Sequence, residues 1–206
     1  MIKIYHAPRT RGFRLIWTCE ELGVPYTVEH VPFTPEFRFS DEFLSKSPLG
    51  KLPFMEDGDM GMFESCAMVQ YVLDKYGQGR LQPAKNSPDY PEFLQWCWFG
   101  EATFARPLGE MVNHRRAFPD GVIQEVLDEM KGRAEAALTP IENTLGDREF
   151  LLGDTFSAAD INVAYAVMLA AKVAKIELPA NTRRWWDALQ ERPAYKAAAA
   201  ADKKPE

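Results

Sequence analysis

Ser47-Pro48-Leu49-Gly50-Lys51-Leu52-Pro53 runs into Phe54-Met55-Glu56, and Phe63-Glu64-Ser65 follows at the front of an apolar helical run. Leu52-Pro53 stands between a glycine turn and a short strand. Its peptide bond is a candidate for the cis form, which is largely confined to X–Pro bonds and favours tight turns. A cis bond there turns the N–H and C=O of Leu52 sideways, where they pair with a ligand backbone as an added strand does. Glu64 offers a carboxylate to an ammonium group. Ser65 opens a helix, whose free N–H groups and dipole favour a carboxylate. The stretch therefore reads as a clamp for a small, extended, zwitterionic peptide.

Working outward, residues 2–6 form a short apolar strand. Arg11 to Leu22 reads as a helix with Leu15, Ile16, Thr18, Cys19 and Leu22 on its apolar face, stopped by Gly23 with Pro25 beyond. Tyr26 to Val31 is a second strand, so the order is that of a βαβ unit. Residues 32–46 are irregular, with a helical turn near Asp41–Ser45. Phe54–Glu56, the turn Asp57-Gly58-Asp59 and Gly61–Phe63 read as a hairpin. Ser65 to Tyr76 is a helix ended by Gly77. The order βαβ then ββα is that of a thioredoxin-like sheet.

Glycines and prolines break residues 77–91 into a linker. Beyond it the chain reads as all helical. Phe93, Trp96, Cys97, Gly100, Phe104, Leu108 and Met111 mark one long helix. Val122, Val126, Met130, Ala134, Leu138, Ile141 and Leu145 mark a second. Ala158 to Ala174, Thr182 to Leu189 and Pro193 to Ala201 follow, with a charged, frayed tail at Asp202–Glu206. Ser157 and Asp160 form a capping box flanked by the apolar pair Phe156 and Ile161, which accounts for Asp160 without a catalytic role. The fold class expected is α/β plus all-α. A thioredoxin-like domain spans residues 1–77, a linker 78–90, and a helical-bundle domain 91–206.

The 206 residues carry a net charge of −6, with 46% hydrophobic and 26% charged residues, ordinary for a soluble globular protein. The acidic balance argues against nucleic acid as a partner. No apolar run reaches the roughly 18 residues that span a bilayer. Met1-Ile2-Lys3-Ile4-Tyr5 reads as a strand and has no signal-peptide pattern. Cys19, Cys66 and Cys97 have no metal spacing and point to a reducing, cytoplasmic setting. The three histidines, His6, His30 and His114, are scattered, so no metal site is expected. His6 reads as a polar neighbour of the loop after the first strand.

Four motifs carry a family resemblance: 47–53, Phe63-Glu64-Ser65, Glu20-Glu21-Leu22-Gly23-Val24-Pro25-Tyr26, and the run from Phe150 to Asp160. In this order, over residues 1–200, the chain resembles a cytosolic glutathione S-transferase of the bacterial or theta-like, serine-type pattern. The resemblance implies a glutathione-binding first domain, a helical domain that shapes the site for a small electrophile, a homodimer, and detoxification. It implies that Leu52, with Pro53, pairs its backbone with the cysteinyl part of glutathione. Glu64 and Ser65 would hold the γ-glutamyl head, and Lys51 the glycine carboxylate. Glutathione is the co-substrate; no metal is implied.

A thiol of this kind has a free pKa of about 8.5, so only a few per cent is thiolate at neutral pH. A hydroxyl at the start of the first helix would stabilise the anion by a hydrogen bond and the helix dipole. Two hydroxyls compete. Thr10, in Arg9-Thr10-Arg11-Gly12-Phe13-Arg14, resembles the serine-type position with threonine in place of serine. Tyr5 resembles the tyrosine-type position. Thr10 is placed first, with Arg11 adding positive potential near the sulfur. No cysteine lies between residues 6 and 14, which disfavours cysteine-based reductase chemistry.

By position, Phe104, Arg106, Met111, His114 and Arg115 are candidates for the electrophile pocket, although a Met and aromatic stripe at helical spacing also reads as core. Two alternatives stand beside the transferase reading. One is a glutathione-dependent disulfide oxidoreductase or peroxidase on the same fold. The other is a non-catalytic binding module.

Overall fold

The computed structural model describes residues 1–203, so part of the expected frayed tail, 204–206, lies outside the described residues. The chain divides into two units. The first is Met1–Arg80 together with the chain from Gln190 onward, and the second is Leu81–Leu189.

In the first unit a four-stranded sheet has the order β2-β1-β3-β4, with β1 at Ile2–His6, β2 at Tyr26–His30, β3 at Phe54–Asp57 and β4 at Met60–Met62. β1 runs parallel to β2 and antiparallel to β3, and β3 and β4 form the expected hairpin. The parallel pair needs a crossover. α1, Gly12–Leu22, supplies it and ends on Gly23 at φ 64°, as its sequence position anticipated. α4, Ser65–Tyr76, packs beside α1. Alternation along β1 assigns its faces: Ile2, Ile4 and His6 are fully buried, whereas Lys3 and Tyr5 are half-buried. On the Tyr5 side lie two short helices, α2 at Pro35–Arg38 and α3 at Asp41–Lys46. There Phe43, Leu52, Phe54 and Ala7 form a cluster against which Tyr5, Val31 and Phe37 pack.

Asp57 pins the far end of α4 to β3. Its carboxylate accepts from Tyr71 (2.9 Å), Lys75 (2.7 Å) and Tyr76 (2.6 Å). Those donors, led by the Lys75 ammonium, hold its carboxyl far below the usual range.

The second unit is helical. α5, Tyr90–Trp98, continues through a π-helical segment, Phe99–Ala105, into α6, Arg106–Ala117. The single long helix read from the sequence is thus one apolar stripe carried over three segments. α7 spans Gln124–Leu145; Val122, expected on it, lies before its start and is exposed. α8, Ala158–Val173, is apolar on nearly every side and packs against the π segment, α5 and α6, as a buried central helix must. The capping box of Ser157 and Asp160 is present. Asp160 also accepts from the Leu151 N–H (3.0 Å) and Trp185 Nε1–H (3.1 Å). Burial pushes its carboxyl up to about 6, against donors that favour the anion. α9 spans Ala180–Gln190.

The last helix, α10 (Pro193–Ala201), belongs to the first unit and lies against α1. Tyr195 meets Trp17 and Phe13 edge-on, with ring centroids 5.0 and 5.5 Å away. Just before α10, Arg192 grips Glu21 with two bonds of 2.7 and 2.8 Å. Among the described residues, no helix is long and apolar enough to cross a membrane.

Candidate active site

The first turn of α1 meets the clamp residues on two sides. The Leu52–Pro53 bond is cis. Leu52 is buried beside Phe54 and Phe43, so its side chain anchors the loop. Gly12, in α1, approaches this loop so closely that a Cβ there would lie 3.2 Å from Pro53 Cβ and 2.4 Å from His6 Nδ1. On the other side, fully buried Arg14 sends Nη1 to Ser65 Oγ at 3.3 Å. Ser65 is buried at the first position of α4. A guanidinium behind the N-terminal end of a helix adds a full positive charge to the dipole. An anion bound at Ser65 therefore meets three favourable fields: hydroxyl, helix end and Arg14.

Glu64 precedes Ser65 with φ 76° and ψ 100°. This is a region that non-glycine residues avoid, and such strain tends to be held where a ligand needs a side chain aimed in one direction. Its side chain is exposed. Lys51 is also exposed, on a loop tied by Ser47, whose hydroxyl accepts from the Lys51 N–H (3.2 Å) and donates to the Lys51 carbonyl (2.9 Å).

The structure separates the two competing hydroxyls. Tyr5 donates to Glu56 Oε2 at 3.1 Å. Lys46 bonds the same carboxylate, holding the Glu56 carboxyl below its ordinary range, and its Nζ lies 5.2 Å from the Tyr5 ring. Tyr5 is thereby engaged on the β1 face opposite His6. Thr10 stands half-buried two residues before α1, where its Oγ1 donates to the Ala7 carbonyl at 2.8 Å and lies 3.3 Å from His6 Nδ1. Arg11 is the residue immediately before α1, in helical conformation and making no side-chain cap. Cys19 is no competing nucleophile, because burial pushes its thiol up to about 12.

The pocket candidates of the helical unit divide. Phe104 and Met111 are buried in that unit's core with Leu108, the outcome that a stripe at helical spacing favours. Arg106 is exposed at the first position of α6. His114 Nε2 accepts from the Ile123 N–H at 3.0 Å, and Arg115 donates to the Val173 carbonyl at 3.2 Å. Both therefore hold chain segments of their own unit in place.

Sequence reading missed three residues. Arg14 reads in the sequence only as part of the helix-start motif, whereas the structure buries it in the first turn of α1 against Ser65. His6 reads in the sequence as a polar neighbour of the loop, yet it shares the buried register of Ile2 and Ile4. Asp202 had no signal: it lies past α10, yet its carboxylate bonds His6 Nε2 at 2.9 Å.

Fold and site together define a class: a thioredoxin-like domain in which a cis-proline loop stands beside the start of α1, and a buried arginine of α1 backs the start of α4. The comparisons narrow it. The family model "Glutathione S-transferase, N-terminal domain" matches residues 1–74, and "Glutathione S-transferase, C-terminal domain" matches residues 124–197. Glutathione S-transferase 3 of Schizosaccharomyces pombe is 26% identical over 211 residues, covering 97% of this chain and 87% of that protein. Probable glutathione S-transferase GSTF1 of Oryza sativa is 29% identical over 206 residues, covering 94% and 93%. A glutathione transferase family member from Pseudomonas fluorescens, solved with two glutathione bound, matches with a TM-score of 0.85 at 26% identity, covering 96% of this chain and 92% of that one. The chain belongs to the glutathione S-transferase family.

Proposed function

We propose that this chain is a glutathione S-transferase that activates the thiol of glutathione at Thr10 and adds it to small electrophiles, forming a thioether. The observation that carries the reading is the placement of α1, with Gly12 against Pro53, Arg14 behind Ser65, and Thr10 just ahead of both. In this reading Leu52 pairs with the cysteinyl backbone. Glu64 takes the ammonium and Ser65 the carboxylate of the γ-glutamyl head, and Lys51 takes the glycine carboxylate. The cysteinyl sulfur then falls beside Thr10 at the start of α1, where a hydroxyl donor and the helix dipole favour the thiolate. The Glu56–Lys46 pair that occupies Tyr5 supports Thr10 over Tyr5.

The same reading places the protein in the cytoplasm, as a homodimer with a role in detoxification. The experiment measures conjugation of a chloronitrobenzene against reduction of a mixed disulfide and of a hydroperoxide, all with glutathione. Conjugation as the dominant activity supports the transferase. Dominant disulfide or hydroperoxide reduction would replace it with the oxidoreductase reading. No glutathione heat in calorimetry would leave a binding module.

A further inference from the structure

Thr10 is part of a longer chain of hydrogen bonds. His6 is fully buried at the end of β1. Its Nδ1 lies 3.3 Å from Thr10 Oγ1, and its Nε2 lies 2.9 Å from Asp202 Oδ1. Asp202 also accepts from the Arg9 N–H with both oxygens, at 3.1 and 3.2 Å. Arg9 sits at φ 64°, an uncommon conformation for a residue with a side chain. The carboxylate thus holds the loop that carries Thr10 at two points. Asp202 is delivered by α10, which is docked on α1 through Tyr195 and preceded by the Arg192–Glu21 pair. The absence of a side chain at Gly12 leaves the room that His6 Nδ1 occupies.

We propose that Asp202 and His6 are positioning residues for Thr10, and that the proton of the glutathione thiol leaves through Thr10 to His6. The proposal rests on Thr10 being the activating hydroxyl. A carboxylate at Nε2 fixes the proton on that nitrogen and leaves a lone pair on Nδ1, facing Thr10. The Thr10 hydroxyl first turns from the Ala7 carbonyl (2.8 Å) to donate to His6 Nδ1 (3.3 Å); as the S–H proton then passes to Thr10 Oγ1, the hydroxyl's own proton passes to His6 Nδ1. The S–H bond and the original O–H bond break, a new O–H and an N–H bond form, and sulfur keeps its electron pair. His6 becomes an imidazolium whose charge is balanced by Asp202. Its Nδ1–H then donates to Thr10 Oγ1, whose new O–H, received from sulfur, donates to the thiolate. After the thioether forms, the proton returns through Thr10 to water. Among the described residues, the titratable groups that face the His6 ring are Asp202 and, on β2, His30, 5.8 Å between ring centroids.

The test is Asp202→Asn, made in the wild-type chain and in a Thr10→Ala chain. Asparagine keeps an acceptor for the Arg9 N–H and removes the charge behind His6. Three quantities are read: glutathione affinity by calorimetry, the pKa of the bound thiol by its ultraviolet thiolate absorbance, and kcat for conjugation. Loss of one charge-assisted bond predicts a bound-thiol pKa higher by about one unit and kcat lower by about tenfold below that pKa. Measured at a pH below the bound-thiol pKa, glutathione affinity changes by less than about twofold, and the effect disappears in the Thr10→Ala background. His6→Asn, which keeps a polar group near the Nδ1 position without its basicity, gives the same rise.

A melting temperature that falls in both variants with an unchanged thiol pKa makes Asp202 a tether and overturns the proposal. An effect that persists in the Thr10→Ala chain overturns it as well. If wild type does not bind glutathione, or Thr10→Ala leaves the bound-thiol pKa unchanged, the transferase reading of Thr10 fails first, and with it the proposal.

Discussion

Replacing Glu64 with glycine separates what its backbone contributes from what its carboxylate contributes. At φ 76° and ψ 100° the native residue stores of order 1–2 kcal/mol of conformational strain. Glycine removes that strain but gives the unfolded chain more freedom, at a cost of about 0.5–1 kcal/mol. The two partly offset, so Glu64→Gly leaves stability unchanged or raises it by up to about 1.5 kcal/mol, a gain of at most about 3–6 °C in Tm for a chain of this size. Glutathione affinity moves the other way. The variant loses a charge-assisted bond to an ammonium, worth about 1.5–3 kcal/mol, so Kd rises by about ten- to 150-fold. Glu64→Gln keeps the strained backbone and an acceptor oxygen while losing the charge, and it falls between the two. Calorimetry gives the affinities, and thermal unfolding without ligand gives the stabilities. A Glu64→Gly chain that binds glutathione as tightly as wild type would refute the reasoning, because the strained residue would then serve nothing at the site.

Three further outcomes follow from the same geometry. Gly12→Ala forces a methyl to within 2.4 Å of His6 Nδ1; overpacking of about 1–3 kcal/mol outweighs a helix-propensity gain of about 1 kcal/mol, so thermal unfolding shows a lower Tm and calorimetry weaker glutathione binding. Asp160→Asn turns an amide NH2 towards the donors from Leu151, Ser157 and Trp185, costing about 2–4 kcal/mol in urea unfolding while leaving glutathione affinity alone. Asp57 ionises more readily folded than unfolded, so its contribution is complete above the unfolded value of about 4 and is lost as pH falls towards the folded one. Urea unfolding at a series of pH values therefore shows a stability gap between wild type and Asp57→Asn that is constant above about pH 5 and narrows in acid.

Most of the fold was legible because local signals agreed with one another. The apolar positions of α1 and α4 repeat at helical spacing, Gly23 falls at a helix stop, and a hairpin turn lies between β3 and β4. The π segment was not legible, since a seven-residue change of winding leaves the stripe Phe93 to Met111 intact. Nor was the placement of α10 with the sheet unit: an alanine-rich helix fits many surfaces, and its attachment depends on Tyr195 and Arg192 finding partners far back in sequence. The cis Leu52–Pro53 loop with the helix start at Ser65 was legible, because each part is signalled locally. The partners behind it were not. Arg14 reaches Ser65 across 51 positions and Asp202 reaches His6 across 196, distances at which one sequence carries no pairing signal. The choice between Thr10 and Tyr5 rested on resemblance alone. The structure bears on it through strand alternation, which sends Tyr5 to Glu56 and His6 to Thr10.

The most direct measurement is a crystal structure of the chain with glutathione bound. The account predicts the γ-glutamyl head at Glu64 and Ser65, the cysteinyl backbone paired with Leu52, and the sulfur within hydrogen-bond reach of Thr10 Oγ1. A sulfur lying against the Tyr5 hydroxyl, or a tripeptide bound away from residues 47–65, would contradict it.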